Sequence, residues 1–544
     1  TGGINGGFYI PPTAVHPPPV EDEGTLIPLA TGEYVKNVNG SGWNYFTATV
    51  NELTSDLDMT DGSNHDNIKA TIETYLLGMR GIGYIEGYAT CNEIREWYHN
   101  FYSGLFDGAD VLPDTLEYLR ENYQYTVRQA TRNYLDSDYW LSVKGLLQQM
   151  HGMAEGFHDG CNVTLQAPDH VNYTQPDGHM LNETEHNYLS SMVSKSTLLH
   201  LLIANANGDM FQIEAKFKLI NHYKELNNTE ALTMDDDSIA NRVGKLLEVD
   251  RIGRRGHRGV EHNHHLDPSH CSAFIKILPN NTDVTFAHAT WDDYQCAAPR
   301  IIKAYSIPDI KERHILTSNI ELFFSSSPGL LASVDDYYTV YKEDYTSQLV
   351  VMETSIDVFD HKVLNKIQPK SVLSWMRGRV SLQNARNGSD WARVFGMHHS
   401  GTYTNQWMVL DLMKFIPNST PKEGFLIVLE EIPDLIHWED QTSTIVNDTY
   451  WASYNIPYYE DIMEISGTQE LCRQDTSNCY NSDPRARLFH KYATEVVDVE
   501  STMWLIRYNN WTMDEECSYN PSNVSIYMLC VYIYIVCVYM LYYV

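Results

Sequence analysis

One junction constrains this chain more than any other feature. A run dense in Arg and His, RIGRRGHRGVEHNHHLDPSH (residues 251–270), ends abruptly at CSAFIKIL, a run with the apolar and aromatic content of a strand that opens on Cys271. That change of texture predicts a self-cleavage site between His270 and Cys271. A cut there gives Cys271 a new α-amino group beside its own thiol, so that one residue carries both a nucleophile and a base.

The chemistry follows from that pairing. A thiol with a reference pKa of about 8.5 and an α-amine of about 7.7 to 8.0 can share a proton as thiolate and ammonium. Attack on an ester or amide carbonyl would give an acyl-enzyme, and water would then release the acid. Before the cut, the same thiol would attack the His270 carbonyl in an N-to-S acyl shift followed by hydrolysis. The junction therefore predicts an N-terminal-nucleophile hydrolase made as a precursor. The competing reading of Cys271 is a buried strand cysteine.

Composition narrows the partners. With 38 Lys and Arg against 71 Asp and Glu, the chain has a formal net charge of −33, which argues against nucleic acid. The only dense basic run is Arg251 to Arg258. An acidic surface of this kind suits an acidic lumen. Sequons at Asn39, Asn162, Asn172, Asn182, Asn227, Asn280, Asn387, Asn418, Asn447, Asn510 and Asn523 point to a glycoprotein of the secretory pathway. No signal peptide is visible and the chain begins at Thr1, which reads as a mature or truncated form.

Nine cysteines in 544 residues are too few for a disulfide scaffold. Cys472 and Cys479, close together in a polar loop, are expected to pair, whereas Cys91, Cys161 and Cys296 read as buried thiols. The odd count leaves at least one thiol outside a disulfide, and Cys271 is the candidate. The last stretch, Ile526 to Val544, is uncharged and long enough to cross a bilayer, yet it is crowded with Tyr and has no basic flank after it. It reads as a divergent terminus rather than an anchor.

The first half carries helical periodicity: Ile68, Ile72, Tyr75, Leu76 and Met79, then Leu116, Leu119 and Tyr123 after Pro113, then Val143, Leu146, Met150, Ala154 and Phe157. GWNYFTATV from Gly42 reads as a strand. After Cys271 the texture is β-rich. CSAFIKIL and DVTFAHATW, separated by Pro279, Asn280 and Asn281, predict a hairpin, and SQLVVMETSI and GFLIVLEEI continue the strand pattern. The expected organisation is a helix-rich chain over 1–250, a basic, His-rich linker over 251–270 that is excised, a β-rich chain over 271–515 and a divergent apolar tail over 516–544. Sheets packed between helices, an α+β class, fit that order.

The stretches GYIEGYAT from Gly83, LLQQMHGMAEGF from Leu146, HCSAFIKILP from His270, FAHATWDDYQ from Phe286, SSSPGLLASVDDYY from Ser325, LVVMETSI from Leu349, SGTYTNQWMVLD from Ser400, YWASYNIPYYEDI from Tyr450 and DPRARLFH from Asp483 resemble the phospholipase B-like family. They run in the family's order over roughly residues 40 to 510. The resemblance implies a four-layer αββα N-terminal-nucleophile sandwich, cleaved into two chains that stay associated. It also implies removal of acyl chains from glycerophospholipids, and a lysosomal or secreted location. The segment after RYNN departs from the family's pattern.

By position in the matched stretches, the resemblance implies a nucleophile at Cys271 and pocket residues at His288, Trp291, Thr354, Asn455 and Arg485. His288 would donate to the developing oxyanion or orient the amine, Trp291 would form a wall, and Asn455 would be an oxyanion donor. Arg485 would hold a substrate phosphate or carboxylate, with Arg487 an equal alternative by sequence. Thr354 also reads as a structural strand residue. The histidines His257, His262, His264, His265 and His270 fit no closed zinc pattern, so neither metal nor cofactor is expected. They would instead charge as a lumen acidifies and expose the linker. No G-x-S-x-G elbow occurs, which disfavours a serine lipase. An amidase acting on N-acyl substrates and a processed, non-catalytic luminal binding protein are the alternatives. Partners are thus a phospholipid or N-acyl small molecule and the two processed chains themselves. The sequence sets no oligomeric state.

Overall fold

The computed structural model describes residues 28–51, 65–105, 111–165, 195–226, 271–290, 298–311, 314–333, 336–343, 346–510 and 513–517. Its strands are β1 (Ala30–Val35), β2 (Trp43–Val50), β3 (Ser272–Ile277), β4 (Val284–Ala289), β5 (Arg300–Lys311), β6 (His314–Ser326), β7 (Tyr337–Lys342), β8 (Gln348–Ser355), β9 (Asn405–Asp411), β10 (Leu426–Ile432), β11 (Leu435–Asp440) and β12 (Tyr450–Ser453). They form a nine-stranded sheet in the order β1-β2-β5-β6-β7-β8-β9-β10-β11 and a three-stranded sheet in the order β12-β3-β4. The large sheet is mixed. β2 pairs with β5 in parallel, and its other pairs are antiparallel. Strands from both sides of the linker therefore share one sheet.

The helices are α1 (His65–Ala89), α2 (Cys91–Leu105), α3 (Pro113–Asn133), α4 (Asp138–Cys161), α5 (Lys195–Asn205), α6 (Asn207–Leu226), α7 (Ser374–Asn384), α8 (Gly388–Phe395), α9 (Thr442–Asp448), α10 (Glu460–Ser466), α11 (Thr468–Gln474), α12 (Pro484–Tyr492) and α13 (Val499–Ile506). The protein is α+β. Period-2 alternation decides what each strand residue touches. Leu349, Val351, Trp407, Val409, Ile427 and Leu429 pack with Ile72, Met79, Leu141, Leu382 and Trp391 of the helices. Their neighbours Val350, Met352, Met408, Leu410, Leu426 and Val428 pack instead on Ala273, Ile275, Ile277 and Phe286 of the small sheet. The small sheet's other face, Phe274, Ala287, Ala289 and Ala452, is covered by Ala486 and Phe489 of α12 and by Leu505 and Ile506 of α13. Strands buried on both faces need continuous apolar runs, which accounts for LVVM and FLIVL.

Helices α1 and α4 run parallel at unusually close approach. A Cβ added at Gly83 would lie 1.9 Å from the Gln149 carbonyl oxygen, and one at Gly156 would lie 2.0 Å from that of Tyr84. Glycines at these positions let the two backbones touch. Just past the end of α1, at the first residue of α2, Cys91 comes opposite Cys161 at the end of α4, and the two form a disulfide with their Cα atoms 5.8 Å apart. This corrects the expectation of two buried thiols there: helix register, invisible in local spacing, brought them together. A second disulfide joins Cys472 and Cys479. Cys296 lies outside the described residues, as do the linker 251–270 and the apolar tail from 518. Among the described residues, no helix is long and apolar enough to cross a membrane.

Candidate functional site

Cys271 sits immediately before β3, buried at 5% exposure, and takes part in no disulfide. Register places its neighbours. Ala273 pairs with His288 on β4 and with Ser453 on β12, so the first residues of β3 are flanked by both other strands of the small sheet.

Arg485 arrives from α12, and the local sequence DPRAR explains how. The Asp483 side chain caps the helix by accepting the Arg485 backbone N–H at 2.8 Å, and Pro484 occupies the first turn, where its missing N–H costs nothing. The Arg485 guanidinium then points inward. Its Nη1 donates to the Cys271 carbonyl at 2.9 Å and to Asn455 Oδ1 at 2.8 Å, and its Nη2 donates to the Tyr454 carbonyl. Arg487 turns elsewhere and pairs with Glu516 at 2.8 Å. Asn455, in the left-handed region at φ 68°, gives its Nδ2 to the Ser355 carbonyl at 2.8 Å. In this arrangement Arg485 and Asn455 clamp the Cys271 backbone and tie it to the end of β8.

The thiol faces a different group, one that sequence reasoning missed. Cys271 Sγ lies 3.8 Å from Asp336 Oδ2, and His288 Nε2 lies 4.0 Å from the same oxygen. Asp336 precedes β7 with φ 57°, and its backbone carbonyl accepts from Glu353 N at 3.0 Å. Its other carboxylate oxygen accepts from the Tyr403 hydroxyl at 2.8 Å. Tyr403 is set by its own backbone N–H on Gln212 Oε1 at 2.7 Å, and its ring lies against Gly208, where a Cβ would meet it at 2.4 Å. Asp336 and Tyr403 stand in SVDDYY and SGTYTN, two of the stretches that carry the family resemblance. No local pattern there sets Asp336 apart from Asp335.

His288 Nε2 is 2.8 Å from the Glu353 carbonyl, which can only accept, so the ring proton sits on Nε2; Nδ1 then accepts from the Thr290 hydroxyl at 3.2 Å. Burial first, and then the Asp336 charge, pushes the Glu353 carboxyl well above the usual carboxylate range. Burial, followed by the charges of Asp336 and Glu353, likewise holds the Tyr403 phenol protonated. Thr354 is buried with its hydroxyl 2.6 Å from that of Ser453, joining the two sheets. Trp291 and His270 lie outside the described residues.

The thiol, imidazole and carboxylate ligand atoms of Cys271, His288 and Asp336 lie within 4.8 Å of one another. That donor set suits zinc, but an ion would have to displace the His288 bond to the Glu353 carbonyl. Behind Asp336 an internal cavity is walled by Asn207, Asp209, Ser333, Glu353, Trp375 and Tyr403.

Fold and site together define an α+β protein centred on a buried cysteine at the start of a strand, clamped from behind and faced by a carboxylate. The family model for phospholipase B matches residues 30–182 and 170–527. Phospholipase-B 81 of Drysdalia coronoides is 27% identical over 490 residues, covering 89% of this chain and 75% of the relative. Phospholipase B-like protein B of Dictyostelium discoideum is 28% identical, covering 89% and 70%. Phospholipase B-like 1 of Homo sapiens is 28% identical, covering 81% and 67%. The chain belongs to the phospholipase B family.

Proposed function

We propose that the protein is a hydrolase that removes acyl chains from glycerophospholipids, made as a precursor and activated by cleavage between His270 and Cys271. The stacking of helices, large sheet, small sheet and outer helices is read as the four-layer αββα sandwich of N-terminal-nucleophile hydrolases. One observation carries this reading: Cys271 is held by its carbonyl on Arg485 Nη1 at 2.9 Å while its thiol faces a carboxylate. A merely structural strand cysteine needs neither. Family membership and the names of the relatives support the lipid ester as substrate.

In the cut protein the Cys271 thiolate attacks the ester carbonyl and the α-amine carries the proton. The oxyanion role falls to His288 and Asn455 and the pocket-wall role to Trp291 by the family resemblance alone, while Arg485 and Thr354 hold the nucleophile's strand in place. Two processed chains stay joined through the shared sheet. A lysosomal or secreted location is supported by the disulfides and by sequons at Asn39, Asn162, Asn280, Asn418, Asn447 and Asn510, all exposed. Asn387 is half-buried and accepts Asp390 N at 2.9 Å as the cap of α8. Asn172, Asn182, Asn227 and Asn523 lie outside the described residues.

The test is N-terminal sequencing and intact mass of the purified protein, wild type beside Cys271→Ala, after incubation at acidic pH. A new chain beginning Cys-Ser-Ala-Phe in wild type alone is the expected result. The cut protein is then offered phospholipids and N-acyl amides side by side. Preference for the amides would replace the lipase reading with an amidase, and no acyl adduct on Cys271 with either would leave a binding protein. An uncut wild type, or equal cleavage in both proteins, would refute self-processing.

A further inference from the structure

Before the cut, Cys271 has no α-amine, so the reading above leaves its first step without a base. Some side chain must take the thiol proton in the uncut chain. His288 is poorly placed for this: its Nε2 proton points at the Glu353 carbonyl at 2.8 Å, and its Nδ1 is turned to Thr290 at 3.2 Å. Arg485 is a donor only and is engaged with carbonyls. Asp336 is the carboxylate at the thiol, with Oδ2 3.8 Å from Sγ, and both residues are buried.

We propose that Asp336 is the general base of self-cleavage, with Tyr403 as its positioning residue, and that its role passes to the Cys271 α-amine once the cut is made. This rests on the self-processing reading. The Cys271 thiol proton moves to Asp336 Oδ2, and the thiolate adds to the His270 carbonyl carbon. The tetrahedral adduct collapses by breaking the bond to the Cys271 nitrogen, which takes the proton back from Asp336. A thioester between the His270 acyl group and Sγ is left, together with the new amine. Water then adds to the thioester, giving the His270 carboxylic acid and restoring the thiol. Protons balance without any co-reactant other than water.

Tyr403 serves by geometry. Its hydroxyl donates to Oδ1 at 2.8 Å, which leaves Oδ2 turned to sulfur. The left-handed backbone at Asp336 and the bond from its carbonyl to Glu353 N hold the carboxylate at the ends of β7 and β8. Burial, and then the Asp336 charge, pushes the neighbouring Glu353 carboxyl well above the usual carboxylate range, which disfavours it as a second buried anion.

The experiment compares self-cleavage of full-length wild type, Asp336→Asn and Tyr403→Phe, with hydroxylamine added to capture the thioester as a His270 hydroxamate. A second set carries, in place of the last four linker residues, the recognition sequence of a protease that cuts on its carboxyl side, so that Cys271 can be exposed without self-cleavage. Self-cleavage is expected to fall at least 100-fold in Asp336→Asn, with no hydroxamate, and by about 10-fold in Tyr403→Phe. Externally cut Asp336→Asn should melt alongside the externally cut wild type, which a misfolded variant would not do, and should lose acyl transfer by a smaller factor than it loses self-cleavage. If wild type cuts itself and Asp336→Asn keeps pace, Asp336 is not the base. If acyl transfer falls as far as self-cleavage in a variant that melts normally, the hand-over to the amine is wrong. A wild type that never cuts itself overturns the self-processing reading and this proposal together.

Discussion

Arg485 shows how much of the site depends on one side chain. It is buried, it holds the carbonyls of Cys271 and Tyr454 and the side-chain oxygen of Asn455, and the next arginine on its helix, Arg487, turns away to Glu516. Replacing it with Ala leaves those acceptors without their donor in a site closed to water. The expected cost is about 2 to 4 kcal/mol in urea unfolding and, on the proposed self-processing, slower cleavage because the Cys271 carbonyl is no longer fixed. Arg485→Lys keeps the charge but not the fork, so it should fall between wild type and Ala in both measurements. The sequence left Arg485 and Arg487 equal. The cap at Asp483 is what chose between them, because it fixes which side of the first turn of α12 faces β3.

At the scale of elements, the parallel contact of α1 with α4 gives a sharp contrast between two glycines. A Cβ at Gly156 would lie 2.0 Å from the Tyr84 carbonyl oxygen, whereas a Cβ at Gly378 in α7 would meet only Trp407, at 3.6 Å. Gly156→Ala must push the helices apart and is expected to cost about 1 to 3 kcal/mol. Gly378→Ala should be neutral or stabilise by up to about 1 kcal/mol, since Ala is the better helix former. Thermal unfolding of the two variants distinguishes them directly. The helices and the β3–β4 hairpin were legible in the periodicity, because 3.6 and 2 residues per repeat are set by local geometry. Which glycines touched which backbone was not, and neither was the Cys91–Cys161 bond, since both depend on two helices meeting in one register.

At the scale of the whole molecule, buried acids tie stability to pH. Burial is the leading cause in pushing Asp209 up to about 6 and Glu430 up to about 7. Between their ordinary carboxylate values and these raised ones, the folded protein holds more protons than the unfolded chain. Stability is therefore fully present below about pH 4 for these two groups and falls as pH rises through 6 and 7. These two acids pull the melting temperature down between pH 5 and 8, against His151 and His200, which burial pushes down to about 4 and which therefore favour the higher pH. Glu430→Gln should remove its share of the fall, while lowering stability overall, because one backbone donor from Tyr458 or Tyr459 then faces an amide N–H. A change in melting temperature from pH 5 to 8 that is the same in wild type and variant would contradict this.

The sequence by itself determined the secondary structure around Cys271, the change of texture at the linker and the acidic, sequon-bearing surface, because each is written in neighbouring residues. Only the tertiary structure decided that Asp336, 65 positions along the chain, faces the thiol, and that Arg485, 214 positions along, holds the carbonyl. Such meetings arise when two sheets stack and a capped helix closes over them, and no local pattern encodes the distance between residues so far apart.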